Sequence, residues 1–195
     1  MRVLALVALL AFGVPPTGAD VIVETDSGQE FPARVSRNDP LSGRQIELRA
    51  TGAALSKWLW RKQYAACFYI SAEARPGEPP YARFIDGDFD KLLVLRFLRD
   101  TEGKDLAETL GEHMRPALAA DPAPTLASFL ALLAGDFAAG QELSLSYAPE
   151  QGLGVYCDGQ PLGSVEDRAL IRALWVAWFG DDPVSTEVKK GLAGL

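Results

Sequence analysis

Lys62-Gln63-Tyr64-Ala65-Ala66-Cys67-Phe68-Tyr69-Ile70 ends a stretch, beginning at Trp58, that is aromatic and apolar enough to form one or two buried strands. Upstream, Gln45 to Arg49 alternates in the manner of a half-buried strand, with Ile46 and Leu48 on one face. Val21-Ile22-Val23 and Phe31 to Val35 flank Ser27-Gly28 as a hairpin. Downstream, Arg75-Pro76-Gly77-Glu78-Pro79-Pro80 can only be a loop, and Lys91 to Leu98 is a further strand. The period then changes. From Lys104 the apolar residues Leu106, Leu110 and Met114 recur every four positions, which predicts a helix ended or kinked by Pro116. A second helix carries Leu126, Phe129, Leu130, Leu132 and Leu133. Strands return at Glu142 to Tyr147 and Gly154 to Cys157, with Asp158-Gly159 as a turn and Pro161 to Ser164 as the return arm. Asp167 to Phe179 and Ser185 to Leu192 close the chain as helices. Grouped strands and grouped helices predict an α+β domain with a mostly antiparallel sheet. Helices on one face of such a sheet leave a cleft between the layers, a usual place for a small-molecule site.

Composition narrows the function classes. The 195 residues carry a net charge of -7, against the basic stripe that a nucleic-acid binder needs. With one His and two Cys, a structural zinc site would need carboxylates to complete it, and any Ser-His-Asp or Cys-His constellation would have to use His113. The N-terminus reads as a secretory signal: Met1-Arg2, an apolar run from Val3 to Val14, and Thr17-Gly18-Ala19 at a cleavage point. That run is shorter than the roughly 20 residues a bilayer span requires. The expectation is therefore a signal peptide over residues 1–19, a domain over 20–195, and a periplasmic or secreted location without a membrane span in the mature chain. Outside the cytoplasm, Cys67 and Cys157 are candidates for a disulfide, with two buried thiols as the alternative.

The succession of segments resembles the chalcone isomerase-like family, in its bacterial, signal-bearing branch. Lys62 to Ile70 is similar to the family's core strand, and Asp90 to Asp100 to its strand ending in an Arg-Asp pair. Tyr147-Ala148-Pro149, Asp158-Gly159, Trp178-Phe179-Gly180-Asp181-Asp182-Pro183 and Lys189-Lys190-Gly191-Leu192 follow in the family's order, so the resemblance covers about residues 45 to 192. It implies an open-faced β-sandwich: a large antiparallel sheet covered on one face by helices, with a ligand cleft between.

The family includes catalysts, which close a phenolate onto an enone, and non-catalysts. The resemblance places Ser56 where the catalysts keep an Arg, with Lys57 beside it, and Tyr64 where they keep a Thr. Registering Gly103-Lys104 on the family's Gly-Lys puts Leu106, Thr109 and His113 where the catalysts carry Tyr, Lys and Asn. Their final Ser/Thr falls near Val188, or on Ser185 or Thr186. A Ser supplies no fixed cationic fork, and the helix has lost its Tyr and Lys. The residues expected to line the cleft are Ser56, Lys57, Tyr64, Leu106, Thr109, Leu110, His113 and Val188, with no catalytic or metal-ligating set assigned among them. The expected function is binding of a hydrophobic small molecule such as a fatty acid or haem, without turnover and without nucleic acid. The rivals are an isomerase rewired around Lys57, Tyr64 and His113, and a structural or partner-binding domain whose cleft is filled.

His113 lies seven residues after Leu106 and three after Leu110, which predicts that it faces the cleft. It is either satisfied by a backbone carbonyl or free to meet a ligand, and a haem iron is the sharpest form of the second reading. The pairs Trp58/Trp60 and Trp175/Trp178 are expected to pack in the core. Asp86, Asp88 and Asp90 resemble part of a calcium loop, but Phe97 stands where that loop needs a Glu, so a solvated loop is expected. Asp100 or Thr101 is expected to cap the helix that follows.

Overall fold

The computed structural model describes residues 20–38, 45–58, 60–75, 77–118 and 123–195, leaving the side chains of Trp58 and Ala123 aside. The expected signal peptide lies outside them. A hairpin of β1 (Val21–Glu24) and β2 (Gln29–Pro32) comes first. Its turn is closed by the Glu24 carboxylate, which accepts from the Ser27 amide at 2.7 Å and the Asp26 amide at 3.2 Å. Those bonds explain how Glu24 tolerates burial.

Then come β3 (Arg34–Asn38), β4 (Gln45–Trp58), β5 (Arg61–Ser71), α1 (Tyr81–Asp86), β6 (Lys91–Phe97), α2 (Gly103–Met114) and α3 (Ala123–Leu132). The chain ends with β7 (Glu142–Ala148), β8 (Gly152–Cys157), β9 (Gln160–Val165), α4 (Arg168–Phe179) and α5 (Thr186–Leu192). Strands β3 to β9 form one sheet in chain order, every pair antiparallel, as the grouped strands predict.

In β5 every side chain from Tyr64 to Ile70 is buried, because the sheet is covered on both faces there. Tyr64, Ala66, Phe68 and Ile70 pack with the helices. Ala65, Cys67 and Tyr69 pack with Leu48, Leu92, Val94 and Phe31 of the β1–β2 hairpin. A strand buried on both sides reads as a continuous apolar run and not as an alternation.

Two elements depart from expectation. The strand expected over Gln45 to Arg49 runs on to Trp58, since a register shift between Ala50 and Gly52 absorbs the glycine without ending the pairing. The six-residue α1 behind the proline-rich loop is too short to show a helical period. Helix α4 begins where Asp167 accepts from the Ala169 and Leu170 amides at 2.9 and 3.1 Å. Helix α2 lacks the expected cap: Asp100 instead accepts from the Ala139 amide at 2.9 Å, and Thr101 donates to the Arg99 carbonyl.

Helix α5 lies directly on β4. A Cβ at Gly52 would stand 2.1 Å from the Gly191 carbonyl oxygen and 2.6 Å from the Gly194 nitrogen, so only glycine allows this approach. The Thr51 hydroxyl donates to the Leu192 carbonyl at 2.6 Å beside that contact.

The candidate disulfide is excluded by topology, which leaves the alternative of two thiols, with Cys67 buried and Cys157 half-buried. Cys67 is on β5 in the hairpin-side layer and Cys157 is on β8 against the helix-side layer, and both are free thiols. Strands β6 and β7 intervene. Three strand spacings amount to about 14 Å, twice the Cα separation a disulfide spans.

The tryptophans divide. Trp175 and Trp178 are at most 1% exposed, as expected of core residues, whereas Trp60 is 79% exposed at the β4–β5 turn. A side chain at a hairpin tip has no opposite layer to enter, whatever its alternation.

Candidate functional site

Ser56 and Tyr64 are cross-strand partners on β4 and β5, so their side chains project to the same face of the sheet. The Tyr64 ring stands edge-on to Phe97 and to Trp178, with centroids 6.2 and 6.4 Å away. Burial pushes its hydroxyl up to about 12, only partly offset by Ser56. Leu106 and Leu110 on α2 and Val188 on α5 join the same apolar layer. These members of the sequence-derived set thus share the layer between sheet and helices, with the Tyr64 hydroxyl buried in an otherwise apolar lining and Ser56 half-buried beside it.

Three of the expected residues do not join it. Lys57 pairs with Asp26 at 2.5 Å on the hairpin side, because its position follows Ser56 across a register shift and points to the other face. Thr109 is exposed. The buried stripe of α2 is Gly103, Leu106, Ala107, Leu110, Gly111 and Met114, and the small residues Ala107 and Gly111 turn it away from Thr109. Gly111 is where Leu130 of α3 packs, so the packing of α2 on α3 sets the rotation. His113 stands at the rim, 22% exposed at its side chain, with Nδ1 3.1 Å from the Asp182 carbonyl oxygen. Of its two expected readings, the backbone-satisfied one matches this geometry.

At the far end of the same layer is a group that the strand alternation could have found. Lys91 shares the parity of Leu93, Leu95 and Phe97, so it enters the helix-side layer, and it is 2% exposed. Its ammonium lies 5.2 Å from the ring centres of Phe89 and Tyr147 and 5.4 Å from that of Trp175, with the Ile85 carbonyl oxygen 3.4 Å away. Burial brings its pKa down to about 8, against the pull of Asp86 and Asp88. The aromatic faces replace part of the lost hydration.

The three aspartates of the expected solvated loop are each engaged. Asp86 pairs with Arg172 at 2.7 Å, Asp88 accepts from the Tyr147 hydroxyl at 2.8 Å, and Asp90 pairs with the buried Arg37. Among the described residues no group of His, Cys, Asp and Glu is placed to hold a metal ion. A surface groove of about 660 Å³ lies next to this network, between the Gln45–Glu47 edge of β4 and Phe89. No described helix is long and apolar enough to cross a membrane.

Among curated proteins no match to the chain is found. Among solved structures, the crystal structure of a fatty-acid binding protein of Arabidopsis thaliana matches with a TM-score of 0.68 at 18% identity, covering 89% of this chain and 96% of that one. At that identity the likeness establishes the fold, an antiparallel sheet with a helical layer. The family model described as chalcone isomerase-like matches residues 29–194, and with the sheet order and the layered core it shows that this chain belongs to the chalcone isomerase-like family.

Proposed function

We propose that this protein binds a fatty acid or a similar single-chain amphiphile between its sheet and its helices, without transforming it. The observation that carries the reading is the buried Tyr64 hydroxyl, on a ring that meets Phe97 and Trp178 within the apolar layer that also holds Leu106, Leu110 and Val188, with Ser56 as its cross-strand partner. An apolar layer with one convergent polar point suits a ligand with a long tail and a small head. The fold shared with a fatty-acid binding protein supports the same ligand class. Turnover is disfavoured by Leu106 and the outward Thr109, which offer nothing to stabilise an enolate at the positions the resemblance assigns to catalysis. Met1-Arg2, the apolar run and Thr17-Gly18-Ala19 complete the proposal with export and removal of residues 1–19.

Titration with a fluorescent fatty acid, followed by displacement with unlabelled palmitate, tests the binding. Saturable, displaceable binding that Tyr64→Phe weakens is the expected result. Absence of binding, or turnover of an enone substrate, overturns the proposal. N-terminal sequencing of the exported protein should begin at Asp20.

Haem at His113 is a second reading. The bond between Nδ1 and the Asp182 carbonyl fixes the tautomer that leaves Nε2 as the lone-pair nitrogen, the usual arrangement of a ligating imidazole. A Soret shift on mixing with hemin, lost in His113→Ala, supports it. A shift that survives the substitution removes it.

A further inference from the structure

The β4–β5 turn departs in chemistry from the rest of the molecule. On a chain of net charge -7, it gathers Lys57, Arg61 and Lys62 around a tryptophan that is 79% exposed. Trp58 pairs with Arg61 and Lys57 with Lys62, so the cations occupy the last two rungs of the ladder. Asp26 faces them, pairing with Lys57 at 2.5 Å and accepting from Lys62 through its backbone carbonyl. Asp26 and, at longer range, Glu24 set two carboxylates against three cations, which still leaves the tip positive, and Arg61 is exposed with no partner among the described residues. Trp60 is the most exposed large apolar side chain of the described chain.

We propose that this hairpin tip docks on an anionic lipid surface, with Trp60 at the level of the headgroups and Arg61 and Lys62 against the lipid phosphates. An indole has an apolar body and a polar N–H, and its preferred depth is the membrane interface. Long cationic side chains beside it keep their stems along apolar surface while their heads reach phosphate. The overall negative charge sharpens the geometry. An anionic membrane repels most of the surface and attracts this end, so the molecule approaches tip first. Ser56 and Tyr64 sit two rungs behind the turn's last pair, so the same approach sets them next to the bilayer.

The test uses the whole chain with vesicles of phosphatidylcholine, with or without phosphatidylglycerol, and no added fatty acid, so its outcome is separate from ligand binding in the cleft. Partitioning onto the mixed vesicles is compared for wild type, Trp60→Ser, Arg61→Gln and Lys62→Gln, all exposed positions whose replacement leaves the core intact. Each lost cation should weaken partitioning about fivefold, and loss of the indole about tenfold. The apolar N-terminal run is common to all four proteins and cancels from the comparison. Brominated lipid should also quench the part of the emission that Trp60→Phe removes. Partitioning unchanged in all three variants, or Trp60 emission untouched by brominated lipid on vesicles that carry the protein, overturns the proposal. Capture of a protein partner through the same tip, without vesicle binding, overturns it as well.

Discussion

Tyr64 and Trp178 meet edge to face, 6.4 Å between ring centres, so that a strand hydroxyl and the last full turn of α4 close the same end of the layer. Tyr64→Phe keeps that ring contact and removes a buried hydroxyl on the face shared with Ser56. Stability should change by no more than about 1 kcal/mol, the scale of a single neutral hydroxyl's interactions. Affinity for a fatty acid should fall more, about tenfold, since a bond to a carboxylate is the stronger kind. Thermal melts and ligand titration on the same preparation separate the two effects.

Lys91 predicts an unusual dependence of stability on pH. Its folded pKa is depressed from 10.5 to about 8. Between those values the unfolded chain holds a proton that the folded chain has released, so stability rises with pH across this window. Below it both states are charged, and the burial cost is at its full value, on the order of 3 kcal/mol. Cys67 acts oppositely: its pKa is raised from 9.0 to about 12, so its contribution is lost as pH climbs above 9. Urea unfolding should therefore show stability increasing from pH 8 to about 9 and levelling or falling beyond it. Lys91→Met, close in shape and uncharged, should abolish the rise and stabilise the protein at pH 7.

Arg37 and Asp90 form an ion pair between β3 and the start of β6, with side chains 8% and 15% exposed. Asp90→Asn leaves a buried guanidinium without its counter-charge and should cost about 3 kcal/mol or more. The double variant Arg37→Met/Asp90→Asn should recover part of that loss. A double-mutant cycle in urea measures the coupling.

Gly52→Ala tests how α5 is seated. The added methyl has no free direction to move, since backbone atoms meet it at 2.1 and 2.6 Å. A loss of about 1–3 kcal/mol is expected, as for other overpacked sites. Hydrogen exchange should rise first in Val188 to Leu192, the segment pushed off β4.

The architecture was readable because its signals were long. Trp58 to Ile70 reads as one or two strands, and Leu106, Leu110 and Met114 read as a helix with one buried side. What escaped was decided at longer range. The rotation of α2 depends on Gly111 receiving Leu130, a contact between two helices that neither helix's period encodes. Thr109 is placed at the cleft only by the register of the family resemblance, which carries no information on that rotation. The Cys67–Cys157 bridge failed on a quantity that periodicity does not contain, the number of strands between two strands. Lys91 was legible in principle, since its parity matches Leu93, but a lysine at the head of a strand reads more naturally as a boundary.

The two cysteines serve a purpose that their failure to pair makes possible. One thiol is enclosed beneath the hairpin and the other borders the helices, on opposite sides of a single sheet. Each layer thus carries its own chemical clock. The alkylation rate of the buried Cys67 times the lifting of the N-terminal hairpin, while that of the half-buried Cys157 reports the access that the helix-side layer leaves it. A ligand that slows one and spares the other would reveal, without any label, which side of the sheet it occupies.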